Sequence, residues 1–163
     1  MSHFLPDNFD KSKPLVLIAG QGTYPILLAQ RARSAGIPIR LIELGEETSE
    51  KLVDSFPQNE RTIIKVGQVG KLLKELRKFN AGYAVMAGQV TPGKLFRGLQ
   101  PDLKAVRMLA GLKRKNAETI FGAIGTEIEK SGVHLLDGRV FMDEDLTEKG
   151  LMIKGREKIN HEY

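Results

Sequence analysis

Leu15-Val16-Leu17-Ile18-Ala19-Gly20 is an unbroken apolar run that stops on a glycine, and it limits the fold more than any other segment of the chain. A run with no polar alternation offers no face to water, so it reads as a short strand covered on both sides, the position of a central strand in a parallel sheet. Parallel neighbours require crossover connections, and helices usually supply them. The next residues fit one. Thr23 stands at a capping position, Pro25 in the first turn, and Ile26, Leu27, Ala29, Ala32 and Ala35 form a helical apolar stripe before Gly36 ends it.

The alternation continues. Ile39 to Leu44 reads as a second strand with Glu43 near its end, and a short polar helix around Ser49 to Phe56 follows before Pro57. Thr62 to Val66 reads as a third strand. Gly67-Gln68-Val69-Gly70 then leads into a helix over Lys71 to Phe79, with Leu72, Leu73, Leu76 and Phe79 inward and Lys71, Lys74, Arg77 and Lys78 outward. Tyr83 to Ala87 is a fourth strand. Pro101-Asp102 opens a helix to about Leu112, Asn116 caps another to about Lys130, and Val133 to Leu136 adds a last strand.

Strands alternating with helices predict an α/β fold, specifically a Rossmann-like three-layer domain with a mostly parallel sheet. The chain's 163 residues suit one domain with extensions. We expect an amino-terminal arm over 1–13, the domain over 14–142 and a charged linker or tail over 143–163. There is no cysteine, which excludes disulfides, thiolate zinc sites and cysteine nucleophiles and suits a reducing, cytoplasmic setting. His3, His134 and His161 have no metal-binding spacing, no run reaches the ~20 apolar residues of a membrane span, and the start of the chain lacks a secretion signal's apolar centre. The net charge of +5 favours an anionic partner.

Both Ile18-Ala19-Gly20-Gln21-Gly22 and Met86-Ala87-Gly88-Gln89-Val90 carry Ala-Gly-Gln at a strand end, so two similar turns are expected to share one cleft at the sheet edge where open α/β folds bind ligands. The first is not a dinucleotide fingerprint, because Pro25 stands where its third glycine belongs and Glu43 only loosely resembles the ribose acid. What remains is a glycine turn opening a helix, whose amides suit a phosphate; the competing reading is a tight structural turn. Gln21 and Gln89 can each donate and accept, toward a uracil edge, a sugar hydroxyl or a phosphate, or simply face solvent.

Lys94 and Arg97, within Thr91 to Arg97, read either as a clamp on a diphosphate, as a membrane contact or as a solvated basic loop. The helix cations and Lys113-Arg114-Lys115 read first as solvated faces. Without tryptophan, and with few aromatics, no specific nucleic-acid binding is expected. Asp143, Glu144 and Asp145 suit magnesium or an acidic linker. No serine, histidine and acid arrangement is legible.

Taken together, Leu17 to Pro25, Val66 to Leu73, Met86 to Val90 and Pro101-Asp102-Leu103 resemble the amino-terminal domain of the LpxI family, the UDP-2,3-diacylglucosamine pyrophosphatases of lipid A biosynthesis. The resemblance implies attack of water on the α-phosphate of UDP-2,3-diacylglucosamine, giving UMP and 2,3-diacylglucosamine 1-phosphate. It implies an Mg2+ or Mn2+ requirement met by a carboxyl-terminal half, so that this chain supplies binding but no catalytic residue and is inactive alone. By the same resemblance Gly20, Gln21, Gly22, Tyr24, Gly88, Gln89 and Val90 form one wall of the substrate cleft; the reading of the basic loop adds Lys94 and Arg97 as candidate binding residues. Gln89 stands where the family often carries a basic side chain. A UDP-linked acylated sugar, a peripheral contact with the inner membrane and homo-oligomer formation are the expected partners. The alternative is a non-catalytic binding module for a nucleotide, a sugar nucleotide or another phosphate ligand.

Overall fold

The computed structural model describes residues 4–90 and 101–142. Five strands, β1 (Leu15–Ala19), β2 (Ile39–Leu44), β3 (Arg61–Ile64), β4 (Tyr83–Ala87) and β5 (His134–Leu135), form one sheet in the order β3-β2-β1-β4-β5, and every pair is parallel. The fold is Rossmann-like. Strand β1 lies at the centre in register with both neighbours, Leu17 opposite Leu41 on one side and Val85 on the other. All five of its residues are buried, as its unbroken apolar sequence requires.

Among the described residues, five α-helices complete the layers: α1 (Tyr24–Ser34), α2 (Glu50–Asp54), α3 (Val69–Lys78), α4 (Leu103–Ala110) and α5 (Ala117–Lys130). The period of two in the strands divides the apolar residues into two cores. Leu15, Leu17 and Ala19 meet Leu28, Ala29 and Ala32 of α1 and Leu52 of α2. Val16 and Ile18 meet Leu72, Leu73 and Leu76 of α3 and Ile128 of α5. Residues before β1 also pack on the sheet: Leu5 is buried, and the Phe9 ring lies 4.3 Å from that of Tyr83, whose hydroxyl accepts from the Asp10 amide at 2.8 Å.

Several local expectations need correction. Thr23 occupies the N-cap position of α1 in a helical conformation and makes no side-chain cap. The stripe of α1 is rotated, with Leu28 fully buried and Ile26 and Leu27 only partly so. Strand β3 runs from Arg61 to Ile64, and α3 begins at Val69, two residues earlier than its apolar period suggests. Gly67, at φ +103°, makes the intervening turn. The last strand shrinks to His134–Leu135. Asn116 caps α5 as expected, in a reciprocal pair with Thr119.

Candidate functional site

Strand order reverses at β1 and β4: from β1 the chain passes through α1 to β2 on one side, and the chain after β4 returns to β5 on the other. In open α/β sheets such a reversal leaves a crevice at the carboxyl ends of the two strands. Both Ala-Gly-Gln segments lie here. They are bonded to each other: the Gly20 amide donates to the Ala87 carbonyl at 2.8 Å, Gln21 to the Gln89 carbonyl at 2.7 Å, and Gln89 back to the Gln21 carbonyl at 3.0 Å. The result is a short antiparallel bridge, Gln21 with Gln89, closing the end of a parallel pair.

This bridge explains two of the glycines. A Cβ on Gly20 would collide with the Gln89 carbonyl, and one on Gly88, at φ +93°, would lie 2.6 Å from the Gln21 carbonyl oxygen. The close approach that glycine permits is therefore between the two turns themselves. Gly22, at φ +109°, differs, because a Cβ there would meet nothing within 4 Å.

Beneath the bridge, on the α3 and α5 side, is a cavity of about 160 Å3. Ile18, Leu44, Ile64, Leu72, Met86 and Phe121 give it apolar walls, Gly20, Gly88 and Val90 belong to its mouth, and Lys65 and Gln68 bring polar groups. The Gln68 side-chain oxygen accepts from the Lys65 amide at 2.8 Å, which shapes the turn after β3. A broader groove of about 540 Å3 continues over the ends of β2 and β3, past Glu46, Lys65 and Lys71. A ligand lying along this edge would meet backbone amides at one end, apolar side chains in the middle and lysines at the other.

Of the expected binding residues, Gly20, Gly88 and Val90 line the cavity, whereas Gln21, Gly22, Tyr24 and Gln89 are exposed around it. The Gln21 side-chain amide donates to the Glu47 carboxylate, which is buried at 4% exposure. Its neighbour Thr48 ties β2 to β1, accepting from the Leu44 amide at 2.9 Å and donating to the Ala19 carbonyl at 2.7 Å. Lys94 and Arg97 lie outside the described residues. Lys65, Gln68 and Phe121 are not among the binding residues expected from sequence. Val66 to Gly70 carries the missing signal, a third glycine-bearing strand end on the same edge, but on sequence alone it reads only as a helix start.

Glu43, on β2 near this edge, has its carboxyl pushed above the ordinary range by burial, with Arg61 pulling the other way. Among the described residues no group of three or more histidine, aspartate or glutamate side chains is placed to hold a metal ion. Asp143, Glu144 and Asp145 lie outside them. No described helix is long and apolar enough to cross a membrane.

The model of the LpxI N-terminal domain matches residues 14–144, which includes every strand and helix above. The chain belongs to the LpxI N-terminal domain family. That membership ties it to lipid A precursor metabolism. Among solved structures, this LpxI-type domain is similar to the Bordetella bronchiseptica enzyme WbmG in complex with NAD and UDP, at 17% identity over 72% of this chain and 34% of that one, with a TM-score of 0.44. It is also similar to the Thermus thermophilus UDP-glucose 4-epimerase complex with NAD, at 14% identity over 74% of this chain and 36% of that one, with a TM-score of 0.43. The chain spans about a third of the length of these structures. Comparison with curated proteins gives no match.

Proposed function

We propose that this domain is the substrate-binding half of a UDP-2,3-diacylglucosamine pyrophosphatase-type hydrolase, with the hydrolytic chemistry supplied by a second half. The observation that carries the reading is the bridge between Gly20-Gln21 and Gly88-Gln89, which fixes the switch-point edge of an LpxI-type domain directly over an apolar cavity. The amides opening α1 give one end of the crevice a partial positive charge suited to phosphate. Lys65 and Lys71 supply full charges farther along the edge, and Gln89 and Tyr24 offer neutral donors and acceptors to a base or sugar.

The role of these groups is to hold and orient the diphosphate so that water cleaves its P–O–P linkage, the water oxygen staying on the attacked phosphorus and the bridging oxygen leaving with the other phosphate, which gives UMP and 2,3-diacylglucosamine 1-phosphate. A divalent ion, where bound, would neutralise charge developing on the phosphate oxygens. We assign that ion to the second half, as the family resemblance implies. A non-catalytic phosphate-ligand module uses the same crevice without that partner.

The test is to incubate the chain with UDP-2,3-diacylglucosamine and Mg2+ or Mn2+, with and without a family carboxyl-terminal half supplied separately, while measuring UMP release and binding. We expect the chain alone to bind substrate or UMP without turnover and the complemented mixture to release UMP. Binding without turnover in the complemented mixture favours the module. A folded chain that binds neither substrate nor product overturns the assignment of the crevice.

A further inference from the structure

Helix α4 leaves part of its apolar surface exposed. Leu103 is 66% exposed and Val106, one turn on, 49%, while only Ala105 of the helix is buried. Arg107 and Ala110 are exposed on the same stripe, at the i+4 and i+7 positions from Leu103. Isolated exposed apolar residues are ordinary, but two large ones on one helical stripe form a surface whose exposure opposes folding and favours a partner.

The charge around this stripe narrows the partner's chemistry. Helix α4 contains Lys104, which pairs with Glu127 of α5 at 3.0 Å, and Arg107, with Asp102 as its cap and no acid within it. Helix α3 lies alongside: the Gly70 and Lys71 amides donate to the Asp102 carboxylate at 2.8 and 3.3 Å, and Lys74 stands one turn beyond Gly70 on the same stripe of α3. Lys71 and Lys74 are exposed, and the only acid of α3, Glu75, is buried. Leucine and valine flanked by lysine and arginine, on a helix lying at the surface, is the arrangement by which amphipathic helices bind the interface of an anionic bilayer. Face-to-face pairing with a second copy would bring like charges together.

We propose that the outer stripe of α4, with Lys71 and Lys74 of α3, docks this domain on an anionic lipid surface. Leu103 and Val106 enter the headgroup region, and the cations remain among the lipid phosphates. Lys71 also borders the crevice groove, whereas Leu103 and Val106 do not, so loss of vesicle binding on their substitution separates lipid docking from headgroup capture in the crevice.

The chain has no tryptophan, so Leu103→Trp makes a single reporter at the centre of the proposed contact. Its emission is expected to shift to the blue with phosphatidylglycerol vesicles, to respond weakly to phosphatidylcholine vesicles, and to return toward the free value in high salt. In co-sedimentation of the otherwise unaltered chain, Leu103→Asp/Val106→Asp and Lys71→Glu/Lys74→Glu are each expected to weaken binding at least tenfold, since each surface cation contributes about fivefold. An unchanged urea midpoint shows that these exposed substitutions leave the fold intact. An emission unmoved by anionic vesicles, or vesicle binding that survives both double variants, overturns the proposal. So does a dimer in sedimentation velocity that Leu103→Asp/Val106→Asp dissolves, which would assign the stripe to a second copy.

Discussion

The Asp102 carboxylate accepts a hydrogen bond from the amide of Gly70, 32 residues earlier in the chain, at 2.8 Å. Its other oxygen accepts from Ala105 at 2.9 Å, so one side chain caps both α4 and α3. Gln68, the N-cap of α3, provides no side-chain cap of its own. A cap is worth about 1 kcal/mol, so Asp102→Ala is expected to cost about 2 kcal/mol. Asp102→Asn retains only one acceptor oxygen and should fall between. Urea titrations check this: the midpoints should order as wild type, Asn, Ala, and equal midpoints for Ala and wild type would show that neither bond contributes.

The two switch-point glycines with positive φ should respond differently to the same substitution. At Gly88 an alanine Cβ meets both an unfavourable φ and the Gln21 carbonyl oxygen, whereas at Gly22 it meets the unfavourable φ alone. Gly22→Ala is expected to cost about 1 kcal/mol, and Gly88→Ala about 3 kcal/mol, because backbone strain and overlap add. Thermal denaturation of the two variants decides the order. The reverse ranking would mean that the Gln21–Gln89 bridge yields easily.

Tyr83 connects the segment before β1 to the sheet by one hydroxyl. Because that oxygen accepts from the Asp10 amide at 2.8 Å, Tyr83→Phe keeps the ring contact with Phe9 and removes only the hydrogen bond. A loss of about 1 kcal/mol is expected. Hydrogen exchange at the Asp10 amide should accelerate, while amides of β1 keep their protection. Exchange unchanged at Asp10 would show that Phe9 alone holds the segment.

What the sequence makes legible follows the range of the interactions. The apolar run at Leu15 to Ala19 specifies a doubly covered strand because every residue there must be buried, and the caps at Asp102 and Asn116 act over three residues. The start of α3 is illegible because its cap is Asp102, distant in sequence. The repeated Ala-Gly-Gln points to a shared edge, yet the bridge depends on where the chain turns after Gly88. The cavity is harder still. Its walls come from β1, β2, β3, β4, α3 and α5, and Phe121 resembles any other core-facing residue of an amphipathic helix until α5 is laid across the sheet.

Glu43 gives the edge a pH dependence of known sign. Burial raises its folded carboxyl above the ordinary 4.5, so between these two values the folded state holds the proton more often than the unfolded chain does. Stability therefore falls as pH rises through that window, and at neutral pH the native state carries a charge it solvates poorly, offset only in part by Arg61. Glu43→Gln removes the charge at nearly constant shape. The variant is expected to match or exceed wild-type stability at pH 7 and to lose that advantage by about pH 4, where the wild-type carboxyl is largely protonated. Urea midpoints of both proteins at the two pH values test it. A variant weaker than wild type at pH 7 but equal to it at pH 4 would show that attraction to Arg61 outweighs burial.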